Sequence, residues 1–437
     1  MNKRVNHKIA VLGSHLPRQC GIATFTSDLS DALQAECTGT NCFVVAVNDA
    51  ERRYIYQDKV RFEISEGDIA SYRRAADFLN VNAVDVLSLQ HEYGIFGGIA
   101  GAHVLALLRQ LRMPIVTTLH TILAEPTSPQ RFAMGEVTKL SERVVVMSQH
   151  GAQLLRQVYQ VPAEKIDYIP HGIDAVPFTG GSKKLLGLEG QSVILTFGLL
   201  SPDKGIEYMI DALPAILARF PNTVYIVLGA THPHVKEHDG EVYRHMLESR
   251  AKRLGVDSQV RFHNRFVTRD ELREFLSAAD IYVTPYLKPE QITSGTLAYA
   301  LGSGKAVIST PYWYAEELLA GGRGLLVPWR DSAAIGKHAI ELLSNDTERL
   351  AMQRRATAYT SEMAWPSVAR RYFQTYERAI QRHEEKKSRH AIVYCQGEFE
   401  AINFHQRRAE TSRDDKIRAV LAHAKNEEPE PVSVAAE

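Results

Sequence analysis

Residues 193–213 read VILTFGLLSPDKGIEYMIDAL. A short aliphatic run, VILTFG (193–198), ends in a glycine; a polar turn with Pro202 and Gly205 follows, and apolar residues then return at helical spacing. An apolar run of this length reads as a strand buried on both faces, the signature of a parallel sheet covered by helices. Strand, turn and helix in that order make half of a repeating βα unit. The same punctuation recurs upstream in KIAVLG (8–13), CFVVAV (42–47), VDVLSLQ (84–90), PIVTTLH (114–120) and RVVVMS (143–148). Helix-period segments such as Thr26–Glu36 and Ala100–Leu111 separate these runs. Downstream it recurs in VYIVLG (224–229), QVRFH (259–263), DIYVTP (280–285), AVIST (306–310) and GLLVP (324–328). Thr268 and Glu271 have capping-box spacing and predict a helix from Thr268 to Ala279.

Right-handed crossovers turn such repeats into doubly wound sheets. The pattern restarts after IPHGID (169–174), through a looser stretch with Gly180, Gly181, Gly187 and Gly190. The fold class is therefore α/β, with two doubly wound Rossmann-like domains over 1–175 and 176–366. From Ala339 to Arg382 the chain is nearly all helical in pattern, with a break at Trp365-Pro366, because proline starts or kinks a helix. Residues 384–437 read as a charged C-terminal extension, EEKKSRH at its start and NEEPEPVSVAAE at its end, partly disordered. AIVYC (391–395) interrupts it with an apolar stretch.

The 437 residues suit two or three domains. With 51 basic and 51 acidic side chains, the whole chain carries no electrostatic footprint for nucleic acid. Cys20, Cys37, Cys42 and Cys395 form no metal-binding or paired spacing and read as isolated thiols of a reducing compartment. No run approaches the ~18 apolar residues of a membrane span. A cytoplasmic protein is expected, with peripheral membrane contact left open.

Several motifs come in one order: IPHGID (169–174), GLLSPDKGIEYMIDAL (198–213), PYLKPEQITSGTLAYALGSGKAVIST (285–310) and GRGLLVP (322–328). Together they resemble the retaining GT-B glycosyltransferases of the glycosyltransferase family 4 type, over roughly residues 8–380. AWPSVARRY (364–372) is similar to the family's terminal helix. That helix, here about 367–383, crosses back to the N-terminal domain. The resemblance implies an acceptor-side N-terminal domain and a nucleotide-sugar-binding C-terminal domain, facing each other across a cleft. Ligands of such sheets bind outside the carboxyl ends of the strands.

A departing diphosphate needs its charge neutralised, by metal or by cations and helix N-termini. No clustered Asp/His motif is visible, so a metal-free site without cofactor is expected, the nucleotide diphosphate sugar being a co-substrate. Lys204, in SPDKG after a strand, matches the family's diphosphate lysine; a solvated surface lysine is the plainer reading. The family's usual arginine falls on Leu199, with Arg265 and Arg18 as candidate substitutes. The family's paired glutamates fall on Gln291 and Tyr299; Glu290, one residue away, is the candidate sugar contact, or else a carboxylate at a helix start. Ser294, Gly295 and Thr296 offer first-turn amides to phosphate oxygens. Gly21, in PRQCGIATFTSDL (17–29), lies in the loop that the family sets beside diphosphate and acceptor; an ordinary turn explains it as well. His120 corresponds to the histidine that faces the donor sugar. His91, Glu92 and Tyr93 end another strand and are candidate acceptor contacts, with a strand-capping loop as the alternative. His171 falls at the hinge, and His232 and His234 in a nucleotide-side loop.

The activity implied is hexose transfer to a carbohydrate or other hydroxyl acceptor, with retention, as in carbohydrate biosynthesis. Leu199 and Tyr299 also keep open a retaining sugar phosphorylase of the same fold and a non-catalytic sugar- or nucleotide-binding regulator.

Overall fold

In the computed structural model, which describes residues 7–49, 53–174 and 182–389, each apolar run quoted above contains a strand. The first half supplies β1 (Lys8–Gly13), β2 (Asn41–Asn48), β3 (Val60–Ser65), β4 (Val86–His91), β5 (Ile115–Leu119), β6 (Arg143–Val146) and β7 (Ile166–Tyr168). They form one parallel sheet in the order β3-β2-β1-β4-β5-β6-β7. The second half supplies β8 (Ser192–Phe197), β9 (Thr223–Leu228), β10 (Val260–His263), β11 (Ile281–Thr284), β12 (Ala306–Ser309) and β13 (Leu325–Leu326). These too are all parallel, in the order β10-β9-β8-β11-β12-β13.

Both sheets are buried on two faces, which is why their strands lack polar alternation. Ile9 and Val11 of β1 pack with Phe25 and Leu29, whereas Ala10 and Leu12 pack with Tyr72 and Leu105 on the other side. In β8, Ile194 faces Met209 and Leu213 while Val193, Leu195 and Phe197 face Leu297 and Leu301. Strand order reverses between β1 and β4 and between β8 and β11. Loops leaving a sheet at such a switch point splay apart and leave a crevice. Four loops are thereby singled out: 14–20 after β1, 92–103 after β4, 198–205 after β8 and 285–294 after β11.

The chain passes between the two sheets along adjacent strands of backbone. Ile173 pairs in parallel with Ala364; Ile173 N donates to Met363 O (2.9 Å) and Trp365 N to Ile173 O (3.0 Å). Pro366 sits in the first turn of the helix 365–389, as its chemistry requires. Val368, Ala369, Tyr372 and Tyr376 of this helix are buried against Ile9, Val11 and Phe25. The Tyr372 hydroxyl meets Thr118 Oγ1 at 3.0 Å and the Tyr376 hydroxyl meets Ser88 Oγ at 2.8 Å. Described residues up to Ile380 belong to one compact unit; of the second, from Gln381, the structure describes helix residues 381–389. The charged extension expected over 384–437 lies outside the described residues beyond Arg389, as do AIVYC and the loose glycines 180 and 181.

Some elements differ from expectation. β3 and β7 are edge strands, one with exposed residues along it and one of three residues, and neither reads as an apolar run. The helix expected over Ala100–Leu111 is only Val104–Leu108, preceded by a 3₁₀ turn. Ala100 and Gly101 take left-handed backbone there (φ 53° and 73°), which a continuous helix excludes. The helical stretch after Ala339 breaks at Asn345, whose side chain accepts from Glu348 N and caps the next helix.

Candidate active site

On the C-terminal side, β8 turns at Gly198 and the chain makes a 3₁₀ turn, Pro202–Lys204, before the helix Ile206–Leu217. Gly205 closes that turn with φ 59°, and a Cβ there would lie 2.2 Å from Pro285 O. Only glycine lets the two loops touch this closely. Leu287 N donates to Asp203 O (2.8 Å), so the loops after β8 and β11 are strapped together. Gly205→Ala is expected to cost more than 1 kcal/mol of stability; an unchanged urea midpoint would contradict this.

The strap sets Lys204 beside Tyr286. The Lys204 amine stands 3.8 Å from the Tyr286 ring centroid, a cation–π distance. Gly198, Leu199, Lys204 and Tyr286 line a small cavity at this point. The Tyr286 hydroxyl meets Thr296 Oγ1 at 2.8 Å, and Thr296 meets Ser294 Oγ at 3.1 Å. Ser294 caps the helix Gly295–Gly302 by accepting from Leu297 N (3.3 Å). Burial pushes the Tyr286 phenol up, but the Lys204 charge and hydrogen bonds outweigh it, and the net shift is downward. Tyr286 thus touches both the Lys204 amine and, through Thr296, the first turn of the helix.

On the N-terminal side, Cys20 caps the helix Gly21–Glu36 through its Sγ, and the space where a Gly21 Cβ would sit is open. His120 is 8% exposed and lies edge-on to Phe25 at 4.9 Å. Gln90 Nε2 donates to Ser88 Oγ (3.2 Å), which turns Gln90 Oε1 toward His120 Nε2 at 3.1 Å. This network assigns the proton to Nε2 and leaves Nδ1 as an acceptor. His171, also edge-on to Phe25 (5.0 Å), brings its Nε2 to 3.0 Å from where a Gly295 Cβ would stand. Phe25 and His171 therefore join the N-terminal histidine to the start of the C-terminal helix. Glu92 accepts from Thr121 Oγ1 (2.5 Å) and Tyr93 N (3.0 Å). Burial pushes the Glu92 carboxyl up, opposed by these bonds and by Lys288 of the other domain.

Burial drives His91 to about 4, His120 to about 3 and His171 to about 4. Unfolded histidines take up a proton near pH ~6.5, so below that the unfolded chain binds more protons and folding stability falls as pH falls. Each buried ring contributes up to about 1.4 kcal/mol per pH unit in that window. The Asp28 and Glu92 carboxyls, raised by burial, work in the opposite sense, since the folded chain holds their protons to higher pH than the unfolded one. A urea midpoint clearly lower at pH ~5 than at ~6.5 is expected; equal midpoints would contradict the neutral-histidine assignment.

Other sequence candidates are placed as follows. His91 is fully buried, stacked on Phe96 (6.0 Å, 23°), on the opposite side of β4 from Gln90. Tyr93 lies edge-on to it at 5.4 Å. Arg18 donates to Val47 O (3.1 Å) and pairs with Glu66 (3.5 Å). Arg265 pairs with Glu271 at 2.5 Å on an exposed face, so its charge is already matched there. Glu290 is exposed, and Gln291 Nε2 donates to Thr293 O (2.5 Å) within its own loop. His232 accepts from His234 N, capping the helix Pro233–Asp239. Tyr299 donates to Asp28 Oδ2 (2.6 Å), across the domains, and Arg269 joins Asp28 (3.3 Å) and Asp174. Glu317 likewise accepts from Gln149 N (2.9 Å) and His150 N (3.3 Å) of the facing domain. Among the described residues no three His, Cys, Asp or Glu side chains gather as a metal site.

Sequence reasoning did not single out Tyr286, Phe25, Gln90 or Asp28. All four sat inside quoted motifs, Tyr286 and Gln90 at strand ends and Phe25 and Asp28 in PRQCGIATFTSDL (17–29), but only the fold shows which residues of those motifs meet the opposite domain.

Two parallel-sheet domains with this topology and interdomain crevice have the GT-B architecture. A solved Anabaena protein, Alr3699/HepE in complex with UDP and glucose, superposes with a TM-score of 0.69 over 85% of this chain and 100% of that one, at 17% identity. A glycosyltransferase from Rickettsia africae gives 0.67 over 86% and 99%, at 15% identity. Residues 20–176 match the Glycosyltransferase Family 4 model and residues 191–345 the Glycosyl transferases group 1 model. The chain belongs to the glycosyltransferase family 4 type. A D-inositol 3-phosphate glycosyltransferase of Corynebacterium kroppenstedtii is 28% identical over 303 residues, 63% of this chain. The match spans 64% of that relative, just under two thirds of its length. A phosphatidyl-myo-inositol mannosyltransferase of Mycolicibacterium smegmatis is 26% identical over 271 residues, 60% of this chain and 65% of the relative. Residues 374–437 match a different description, EncFtn-like.

Proposed function

We propose that this protein transfers a hexose from a nucleotide diphosphate sugar to a hydroxyl acceptor, with retention and without a metal ion. The observation that carries the reading is Lys204 after the switch-point strand β8, its amine 3.8 Å from the ring of Tyr286, whose hydroxyl meets Thr296 in the first turn of the helix Gly295–Gly302. Cation and amides together suit a diphosphate. In the reaction the bond from the anomeric carbon to the diphosphate oxygen breaks and a bond from that carbon to the acceptor oxygen forms on the same face. The acceptor proton passes to the leaving phosphate oxygen, so no separate base is needed. Lys204 and the amides of residues 294–296 offset the charge growing on the diphosphate. His120, held neutral, offers Nδ1 to a sugar hydroxyl, and Glu92 with Thr121 orients the acceptor. Glu290, exposed on the loop after β11, is the carboxylate able to swing onto the sugar. Domain closure excludes water that would hydrolyse the donor.

The test pairs two assays on the full chain. Nucleoside diphosphates bound at ~100 times Kd should add about 2.7 kcal/mol of stability. Incubation with UDP-, GDP- and ADP-sugars and sugar acceptors should release nucleoside diphosphate. Release of sugar 1-phosphate from a disaccharide and inorganic phosphate would point instead to a phosphorylase, and tight binding with no turnover to a regulator.

A further inference from the structure

We infer that Tyr286 is a positioning residue for the reaction: its ring face holds the Lys204 ammonium in place for the donor phosphates. The inference rests on the reading of Lys204 as the diphosphate cation. With Leu199 where the family's arginine would stand and Arg265 spent on Glu271, charge at this turn depends on one flexible lysine. A lysine on a four-carbon stem loses rotamer freedom on binding unless something holds it beforehand.

Tyr286 is built to do this. Its ring is 2% exposed and stacks on the fully buried Tyr312 at 5.3 Å and 18°, which fixes the ring plane from behind. Its hydroxyl is tied to Thr296 (2.8 Å), and its backbone carbonyl accepts from Thr310 Oγ1 (2.6 Å). The Lys204 amine lies 3.8 Å from the ring centroid. The Leu287–Asp203 and Gly205–Pro285 approaches hold the two backbones so that this distance is set by the fold. Through Thr296 the same ring is linked to the first turn of the helix Gly295–Gly302, so cation and amides share one support.

The experiment measures UDP, GDP and ADP binding to the full chain by calorimetry, with melting temperature recorded for each variant. Lys204→Met should weaken the diphosphate that binds wild type by about 100-fold. Tyr286→Phe, which keeps the ring, should stay within about threefold, and Tyr286→Leu should lose about tenfold. The double variant Tyr286→Leu, Lys204→Met should bind no worse than Lys204→Met alone, because the ring acts through the amine. Since Tyr286→Leu also removes core packing, a second comparison sets phenylalanine against 3,4,5-trifluorophenylalanine at position 286. Fluorination drains the negative ring face at nearly unchanged shape and should weaken binding several-fold with melting temperature unmoved. Equal affinity of the fluorinated and plain rings, or additive losses in the double variant, would overturn the role of Tyr286 while leaving Lys204 intact. Wild-type affinity in Lys204→Met, or no binding of any of the three diphosphates to wild type, would overturn both.

Discussion

Lys204→Ala is expected to lower kcat/KM by about 10² to 10³, with kcat falling at saturating donor. The loss should appear in kcat because the diphosphate gains charge as the glycosidic bond breaks, so the ammonium counts for more in the transition state than in the ground state. Arg265 is ion-paired with Glu271 and Arg18 with Glu66, so neither is poised to replace the missing charge. Steady-state kinetics with saturating nucleotide sugar check this. Turnover equal to wild type would remove Lys204 from the reaction.

Trp365→Ala should destabilise the protein by about 3–5 kcal/mol, read by urea unfolding. Trp365 is 4% exposed and lies 5.3 Å from Phe25, edge to face. Its ring fills the place where a Cβ on Gly172 would stand, 2.3 Å away. The backbone beside that volume is held by the paired hydrogen bonds of Ile173 with Met363 and Trp365, which limits collapse into it. The same ring supports Phe25, which His120 and His171 both contact edge-on. Activity should therefore fall with stability, and His171, only 6.4 Å from Trp365, should lose its fixed orientation. A loss below about 1 kcal/mol would show that the crossing is held elsewhere.

The sequence carried the sheets well because β-branched runs such as FVVAV and VYIVLG have no polar face to confuse the period. The two edge strands of the first sheet escaped for the complementary reason: β3 alternates like a surface, and β7 is three residues long. The loops bearing Lys204, Ser294 and His120 were legible because strand ends precede them. Their partners were not. Nothing in one dimension pairs Tyr299 with Asp28, 271 residues apart, or turns Gln90 rather than His91 toward His120. Tyr299, read from sequence as a missing acid, acts in the fold as a hydroxyl donor that ties the domains together. Arg265 looked available because a spacing of six to Glu271 is not a helical pair; the turn before the helix brings the two together.

The most direct test of the central claim is a crystal structure of the full chain with a bound nucleoside diphosphate. Phosphate oxygens are expected within hydrogen-bonding distance of Lys204 Nζ and of the amides at 294–296, between the loops after β8 and β11. A diphosphate bound elsewhere, with Lys204 facing solvent, would contradict it.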